Sequence, residues 1–308
     1  MNNHKIVFPA ILWLVVVLVG SCASTRTVTK QDTIQADYSK YQLVGPRKRV
    51  FVSEFENKSA YGQRRLGSGI KNVMETELSK TNLFLLLERE KLDVIVNEQK
   101  LGLSGFISAE SAPKAGQLLG ANAVIIGSVT QFGVRTETYD VVLTSGKKQI
   151  ATCAIDVKLI DVSSGRIIWA GSGQGEAARK FTNILGSGQA GGYDETLEGD
   201  AFRAAVVRLM ENLIPALNKM PWYCTIAQVS DGKIYVNAGQ KSNLTIGSNL
   251  TIYKIGKEIV DPTNGLVLGR EEEKIGKGQV SSYFGEDGAL LVQKEGESPS
   301  IGDICKFQ

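Results

Sequence analysis

The sequence predicts an α+β protein in two parts: an α/β domain carrying β-hairpin extensions, followed by a small all-β domain of barrel or sandwich type. Three observations lead there. Between residues 49 and 218, short apolar runs alternate with stretches of helical period, and strands interleaved with helices make an α/β or α+β domain. From Trp222 onward the helical signals stop, and turn dipeptides recur about every dozen residues: Asp231-Gly232, Ala238-Gly239, Ile246-Gly247, Asn264-Gly265, Asp287-Gly288 and Ile301-Gly302. Short strands between turns, such as Ile234 to Val236 and Ala289 to Val292, describe a β module. Hydrophobic residues make up 43% of the chain and charged residues 22%, the balance of a folded soluble protein.

Each element follows in order. Lys5 and the apolar run from Ile6 to Gly20 are too short for the roughly 18 to 20 residues that cross a bilayer as a helix, and read as a secretory leader. The string Leu18-Val19-Gly20-Ser21-Cys22 resembles the lipobox of bacterial lipoproteins, in which cleavage precedes a lipid-modified cysteine. That resemblance makes residues 1–21 a signal peptide and Cys22 the lipidation site; an ordinary signal peptide or a short anchor is the alternative. Ala23 in place of Asp points to the outer membrane. Residues 22–47 are polar, without apolar period, and read as a lipidated tether. Arg47-Lys48-Arg49 reads as a solvated lead-in to the first strand, with contact to anionic headgroups the other reading.

The α/β domain takes residues 48–220. Val50 to Phe55 reads as a strand, Glu56 to Gly62 as a loop, and Leu66, Ile70, Val73, Met74 and Leu78 recur at helical spacing. Leu83 to Leu87 reads as a strand buried on both faces. Helices follow at Glu88 to Lys100 and at about Ala109 to Leu119, which Gly120 stops. Ala121 to Ser128 is an apolar strand. Val129 to Leu143 and Gln149 to Val162 form a hairpin about a Thr144-Ser145-Gly146-Lys147 turn. Gly171-Ser172-Gly173-Gln174-Gly175 and Gly186-Ser187-Gly188-Gln189 read as a flexible connection or hairpin tip, with Gly171 to Glu195 a second candidate hairpin. Phe202, Ala205, Val206, Leu209, Met210, Leu213 and Leu217 mark an amphipathic helix ended by Pro221. Residues 221–308 form the β module.

The chemistry is bounded by what the chain lacks. Its one histidine, His4, leaves with the leader, so the mature protein has no imidazole for a triad, for general-base work or for a metal. No catalytic, cofactor or metal site is expected, and the protein is read as a non-enzyme without cofactors. Net charge of +3 gives no argument for nucleic acid. Gly171 to Gly175 is neither a dinucleotide fingerprint nor a phosphate loop. Glu271, Glu272 and Glu273 read as a solvated turn. Cys153, Cys224 and Cys305 lack paired metal-ligand spacing. In a compartment that permits disulfides, Cys224 and Cys305, in the first and last strands of the β module, are a candidate bond; two free buried thiols are the alternative.

Several strings occur together in order: Val50-Phe51-Val52-Ser53-Glu54-Phe55-Glu56-Asn57, Glu88-Arg89-Glu90-Lys91-Leu92, Leu118-Leu119-Gly120-Ala121-Asn122, Gly127-Ser128-Val129, and Asp156 to Gly165 with Trp169. Over roughly residues 48 to 218 they resemble the curli production assembly/transport (CsgG) family. The resemblance implies an outer-membrane lipoprotein facing the periplasmic space, an anticodon-binding-domain-like fold, and a homo-oligomer with secreted or envelope proteins as partners. In the curli channel each protomer also gives two hairpins to a transmembrane barrel narrowed at a loop after the first strand. Here that loop, Glu56 to Arg65, is short and offers only Tyr61 as a constriction residue, and Arg135, Glu137 and Asp140 interrupt the first hairpin. The module from Gly232-Lys233-Ile234-Tyr235-Val236-Asn237 through Gly247, Asp261-Pro262 and Gly302-Asp303 is similar to the C-terminal domain of flagellar assembly protein T, which implies an adaptor role. Together the resemblances imply a lipid-anchored assembly or transport component, with an oligomeric outer-membrane secretion pore as the alternative.

Overall fold

The computed structural model describes residues 36–61, 65–88, 107–108, 111–141, 144–184, 196–263 and 267–307. The chain is mixed α+β, built as a helix-covered sheet followed by a closed barrel. In the sheet, β1 (Lys48–Val52) lies between β3 (Phe84–Leu87) and β4 (Ala123–Val141), parallel to both. Beyond β4 come β5 (Thr144–Asp161) and β6 (Ile167–Ile184), each antiparallel to its neighbour, and the short β2 (Glu56–Asn57) pairs with β4. As an interior strand, β1 is buried at all five residues. The expected double burial of the 83–87 strand is corrected: β3 is the last strand of the sheet, and Leu85 to Leu87 are only half-buried.

The hairpin turn also moves. Val141 pairs with Thr144, and the ladder then runs unbroken to Ala123 with Asp161 except for one bulge near Thr130. The residues read as a Thr144-to-Lys147 turn therefore belong to β5, and the connection falls on residues outside the described set. A Ser-Gly turn signal yields here because turning at 144–147 would remove four residues from a continuous ladder. The glycine-rich Gly171 to Gly175 stretch is likewise no flexible connection or hairpin tip. It is part of β6, paired along its length with β5. The rest of the second candidate hairpin, residues 185–195, and the predicted helix at residues 89–100 lie outside the described residues.

Helices α1 (Arg65–Thr81) and α3 (Thr196–Lys219) cover one face of the sheet. Leu66, Ile70, Met74 and Leu78 of α1 are buried, with Val73 half-buried against the same core, and Phe202, Ala205, Val206, Leu209, Met210, Leu213 and Leu217 of α3 are all buried. The glycines of β6 explain how closely α3 sits: a Cβ on Gly173 would strike the carbonyl oxygen of Ala205, and one on Gly175 the backbone of Ala201 and Ala205. Helix α2 (Ala112–Leu119) lies over a smaller apolar cluster of Phe51, Val124, Ile160 and Val162. It ends at Gly120, whose φ of 66° suits glycine.

From residue 36 the polar segment read as tether is docked. Tyr38, Tyr41 and Leu43 pack on the main core. The Tyr38 hydroxyl donates to Glu77 Oε2 at 3.0 Å, a buried carboxylate also held by Lys80 and Arg203. Pro215, inside α3, has no N–H for the carbonyl of Glu211 one turn back, and the Tyr41 hydroxyl donates to that carbonyl at 3.3 Å.

The C-terminal strands close into a barrel in the order β10-β11-β8-β7-β12-β9. They are β7 (Tyr223–Ser230), β8 (Lys233–Val236), β9 (Asn249–Val260), β10 (Val267–Phe284), β11 (Gly288–Gly296) and β12 (Ile304–Phe307). Asp231 and Gly232 both take left-handed φ, 51° and 71°, which matches the twist of a two-residue hairpin. Ile226, Ile234, Val236, Leu250, Ile252 and Leu291 fill the interior. Closure leaves no free sheet edge. Glu271 to Glu273, read as a turn, lie in β10, and Glu272 is bonded to Lys306.

Candidate functional site

The most elaborate polar arrangement is the junction between sheet and barrel, and it is built on residues read as a solvated lead-in. Lys48 and Arg49 are only 4% and 6% exposed. Successive strand residues point to opposite faces, so the two cations part company. Lys48 Nζ donates to the carbonyl of Asn218 at 3.2 Å, in the last turn of α3, where the helix dipole favours a cation. The Arg49 guanidinium reaches the other way and donates to the carbonyl oxygen of Asn237 and, at 3.1 Å, to its Oδ1.

Two asparagines complete the junction. Asn122, fully buried, accepts the Arg49 backbone N–H on Oδ1 at 2.9 Å and donates through Nδ2 to the carbonyl of Tyr223 at 2.8 Å. Asn237 Oδ1 also accepts the N–H of Thr225 at 2.8 Å. Around them, the Arg47 N–H donates to the Ser242 carbonyl at 2.7 Å, and Trp222 Nε1 donates to the Arg47 carbonyl at 3.1 Å. Burial pulls the Arg49 guanidinium below its ordinary value, against the fields of Cys224, Asp287 and Tyr223; an arginine stays charged regardless. Among the described residues no carboxylate touches it. Asp287 instead caps the 239–242 turn, accepting from the N–H groups of Gly239 and Ser242 and from the Ser242 hydroxyl.

Two concavities flank this junction. One, of about 330 Å³, lies between the end of α2 and the barrel, lined by Gln117, Gly120, Tyr223, Thr225, Arg270 and Glu272. The other, of about 540 Å³, runs between β6 and the end of α3 and is lined by Ile168, Trp169, Pro215, Ala216, Met220 and Pro221, with Asp161 and Lys219. Asp161 accepts from the Ser163 N–H at 3.0 Å, the Ser163 hydroxyl at 2.9 Å and the Ser164 hydroxyl at 2.7 Å. It therefore acts as a turn cap.

The residues named from the sequence are scattered. Cys22 lies outside the described residues. Tyr61 is half-buried, its ring edge-on to Phe132 at 4.9 Å, and Phe132 in turn lies 5.6 Å from Phe202. Cys224 and Cys305 stand opposite each other in β7 and β12 as buried free thiols. Their shared hydrogen bond, and then burial, push the Cys305 thiol well above its ordinary value. Cys153 sits in the sheet core, its thiol pushed up to about 12 by burial. Sequence reading missed the junction. Its signal was present: two of the quoted strings end in Asn122 and Asn237, and both asparagines meet Arg49.

Among the described residues, no helix is long and apolar enough to cross a membrane. Residues 35–245 match the family described as "Curli production assembly/transport component CsgG", a span that takes in the sheet, α3 and the first two barrel strands. The chain is 31% identical over 217 residues to a predicted lipoprotein of Neisseria meningitidis serogroup B, covering 67% of this chain and 92% of that one. Among solved structures it is similar to the C-terminal domain of LpoB from Salmonella enterica, at 17% identity and TM-score 0.33, over 42% of this chain and 84% of that one. It is also similar to a lipoprotein of Neisseria meningitidis, at 17% identity and TM-score 0.32, over 55% of this chain and 98% of the other. On the sequence matches, the chain belongs to the curli production assembly/transport component (CsgG) family.

Proposed function

We propose that the protein is an outer-membrane-anchored periplasmic lipoprotein that acts, without catalysis, in the assembly or transport of cell-surface or envelope components, as a homo-oligomer. Family membership carries the reading, and the lipoprotein relative and the Cys22 motif support it. On this reading the sheet with its helices is the anticodon-binding-domain-like scaffold of the family. The barrel is a recognition module held rigidly to it through Arg49, Asn122 and Asn237.

The rival is an export pore with Tyr61 at its constriction. Strands of 18 and 19 residues are long enough for it, but a lipid-facing ribbon needs one apolar face. In the outer ribbon Thr136, Gln149 and Arg179 share one row, and Glu137, Lys148 and Lys180 share the next. Adjacent rows point to opposite faces, so charge lies on both.

Cys22→Ser is the test. The variant should leave the outer-membrane fraction on a high-salt wash, because no other described segment would replace the acyl chains; retention would refute lipid anchoring. Pure wild-type protein should be silent in planar bilayers, and steady conductance steps would make the pore the better reading.

A further inference from the structure

The seam where β12 meets β7 holds two thiols in register. Cys305 stands directly opposite Cys224, with Ile304 opposite Thr225 and Lys306 opposite Tyr223. Directly opposed residues share a face, and this face is the barrel interior: both cysteines are fully buried in its core. The Ile226 N–H donates to the Asp303 carbonyl at 2.8 Å, which sets the phase of the ladder. Counting back in twos, Cys224 and Cys305 fall at a hydrogen-bonded pair, where Cα atoms sit roughly 5.5 Å apart. Disulfides are found at roughly 4.4 to 6.8 Å. The Cβ atoms of such a pair sit at roughly 5 to 5.5 Å and must close by about 1 to 2 Å, a shift asked of the four-residue β12. Cys153 cannot compete, since it pairs with Phe132 and Gly175 inside the sheet.

We propose that Cys224 and Cys305 are joined by a disulfide bond in the exported protein. This rests on the reading that the chain is delivered outside the cytoplasm, where thiols are oxidised. Before the barrel closes over the pair, one cysteine, as its thiolate, attacks the disulfide of an envelope oxidant, breaking that bond and giving a mixed disulfide; the second then displaces the oxidant's sulfur. One S–S bond forms in the barrel and the oxidant's S–S bond breaks; two electrons and two protons pass from the cysteine pair to the oxidant, which becomes a dithiol. The bond fixes more than β12. Cys224 lies between Tyr223 and Thr225, whose backbone groups meet Asn122 and Asn237, so it pins the strand that carries the junction.

Thiol counting tests this on full-length protein taken from the membrane fraction, denatured and alkylated without reduction. Of Cys153, Cys224 and Cys305, only Cys153 should be alkylated, with all three reacting after reduction, and a linked peptide pair should carry Cys224 and Cys305. A Cys153→Ala variant should show no alkylation at these positions before reduction. Protein expressed without residues 1–21 should be reduced in the cytoplasm and acquire the same link when unfolded and refolded with oxidised glutathione. Three free thiols in membrane-fraction protein would overturn the bond. Absence of the protein from the membrane fraction, with the link still forming on glutathione treatment, would overturn the anchored reading and leave the pairing standing.

Discussion

Arg49 shows how far a residue's role can lie from its sequence neighbourhood. Arg47-Lys48-Arg49 looks like a basic run on a solvated lead-in, because local composition carries no record of which strand is interior. Once β1 is flanked on both sides, its first residues are buried with it, and each cation needs acceptors. Lys48 finds the end of α3; Arg49 finds Asn237, while its backbone N–H finds Asn122. Asn122 is the residue to change. In Asn122→Ala the Arg49 N–H and the Tyr223 carbonyl would lose their partner, and each buried polar group left unpaired costs about 1 to 3 kcal/mol. Urea unfolding should show a loss of about 2 to 6 kcal/mol. A loss below about 0.5 kcal/mol, the size of an ordinary surface change, would show that the junction contributes nothing.

At the scale of elements, periodicity was legible and contact was not. The seven positions marked along α3 are all buried, and the β7–β8 turn falls where Asp231-Gly232 puts it, since both signals are local. Gly173 and Gly175 of β6 are not a local matter. Their reason is the backbone of α3, which begins more than twenty residues after Gly173, so the stretch reads as flexible when seen alone. Gly173→Ala should lower stability by about 1 to 3 kcal/mol, the range for overpacking a tight contact. Gly199→Ala is the control: nothing lies within 4 Å of a Cβ there, and removing a helical glycine should add about 0.4 to 1 kcal/mol. Thermal midpoints moving in opposite directions would bear this out. A Gly173→Ala midpoint at or above wild type would show that α3 does not press on β6.

At the scale of the whole molecule, the order of sheet and barrel was readable, because periods of 3.6 and 2 and the spacing of turns are properties of sequence. How the parts are joined was not, since a junction is made of single polar residues far apart in the chain. Asn218, Asn122 and Asn237 come from three separate stretches. The joint has a thermodynamic consequence. If Arg49 and its two asparagines couple the parts, the barrel cannot unfold without leaving a buried guanidinium and the Asn122 amide unsatisfied in the sheet, and the parts should unfold together. Two tryptophans report on them: Trp169 in β6, and Trp222 at the barrel entrance, bonded to Arg47. In variants keeping one or the other, fluorescence should give a single shared urea midpoint. Asn237→Ala removes the Oδ1 acceptor shared by Arg49 and Thr225 and should separate the two midpoints, with the barrel probe moving to lower urea. Midpoints already apart in the otherwise native chain, or still coincident in Asn237→Ala, would show that the coupling resides elsewhere.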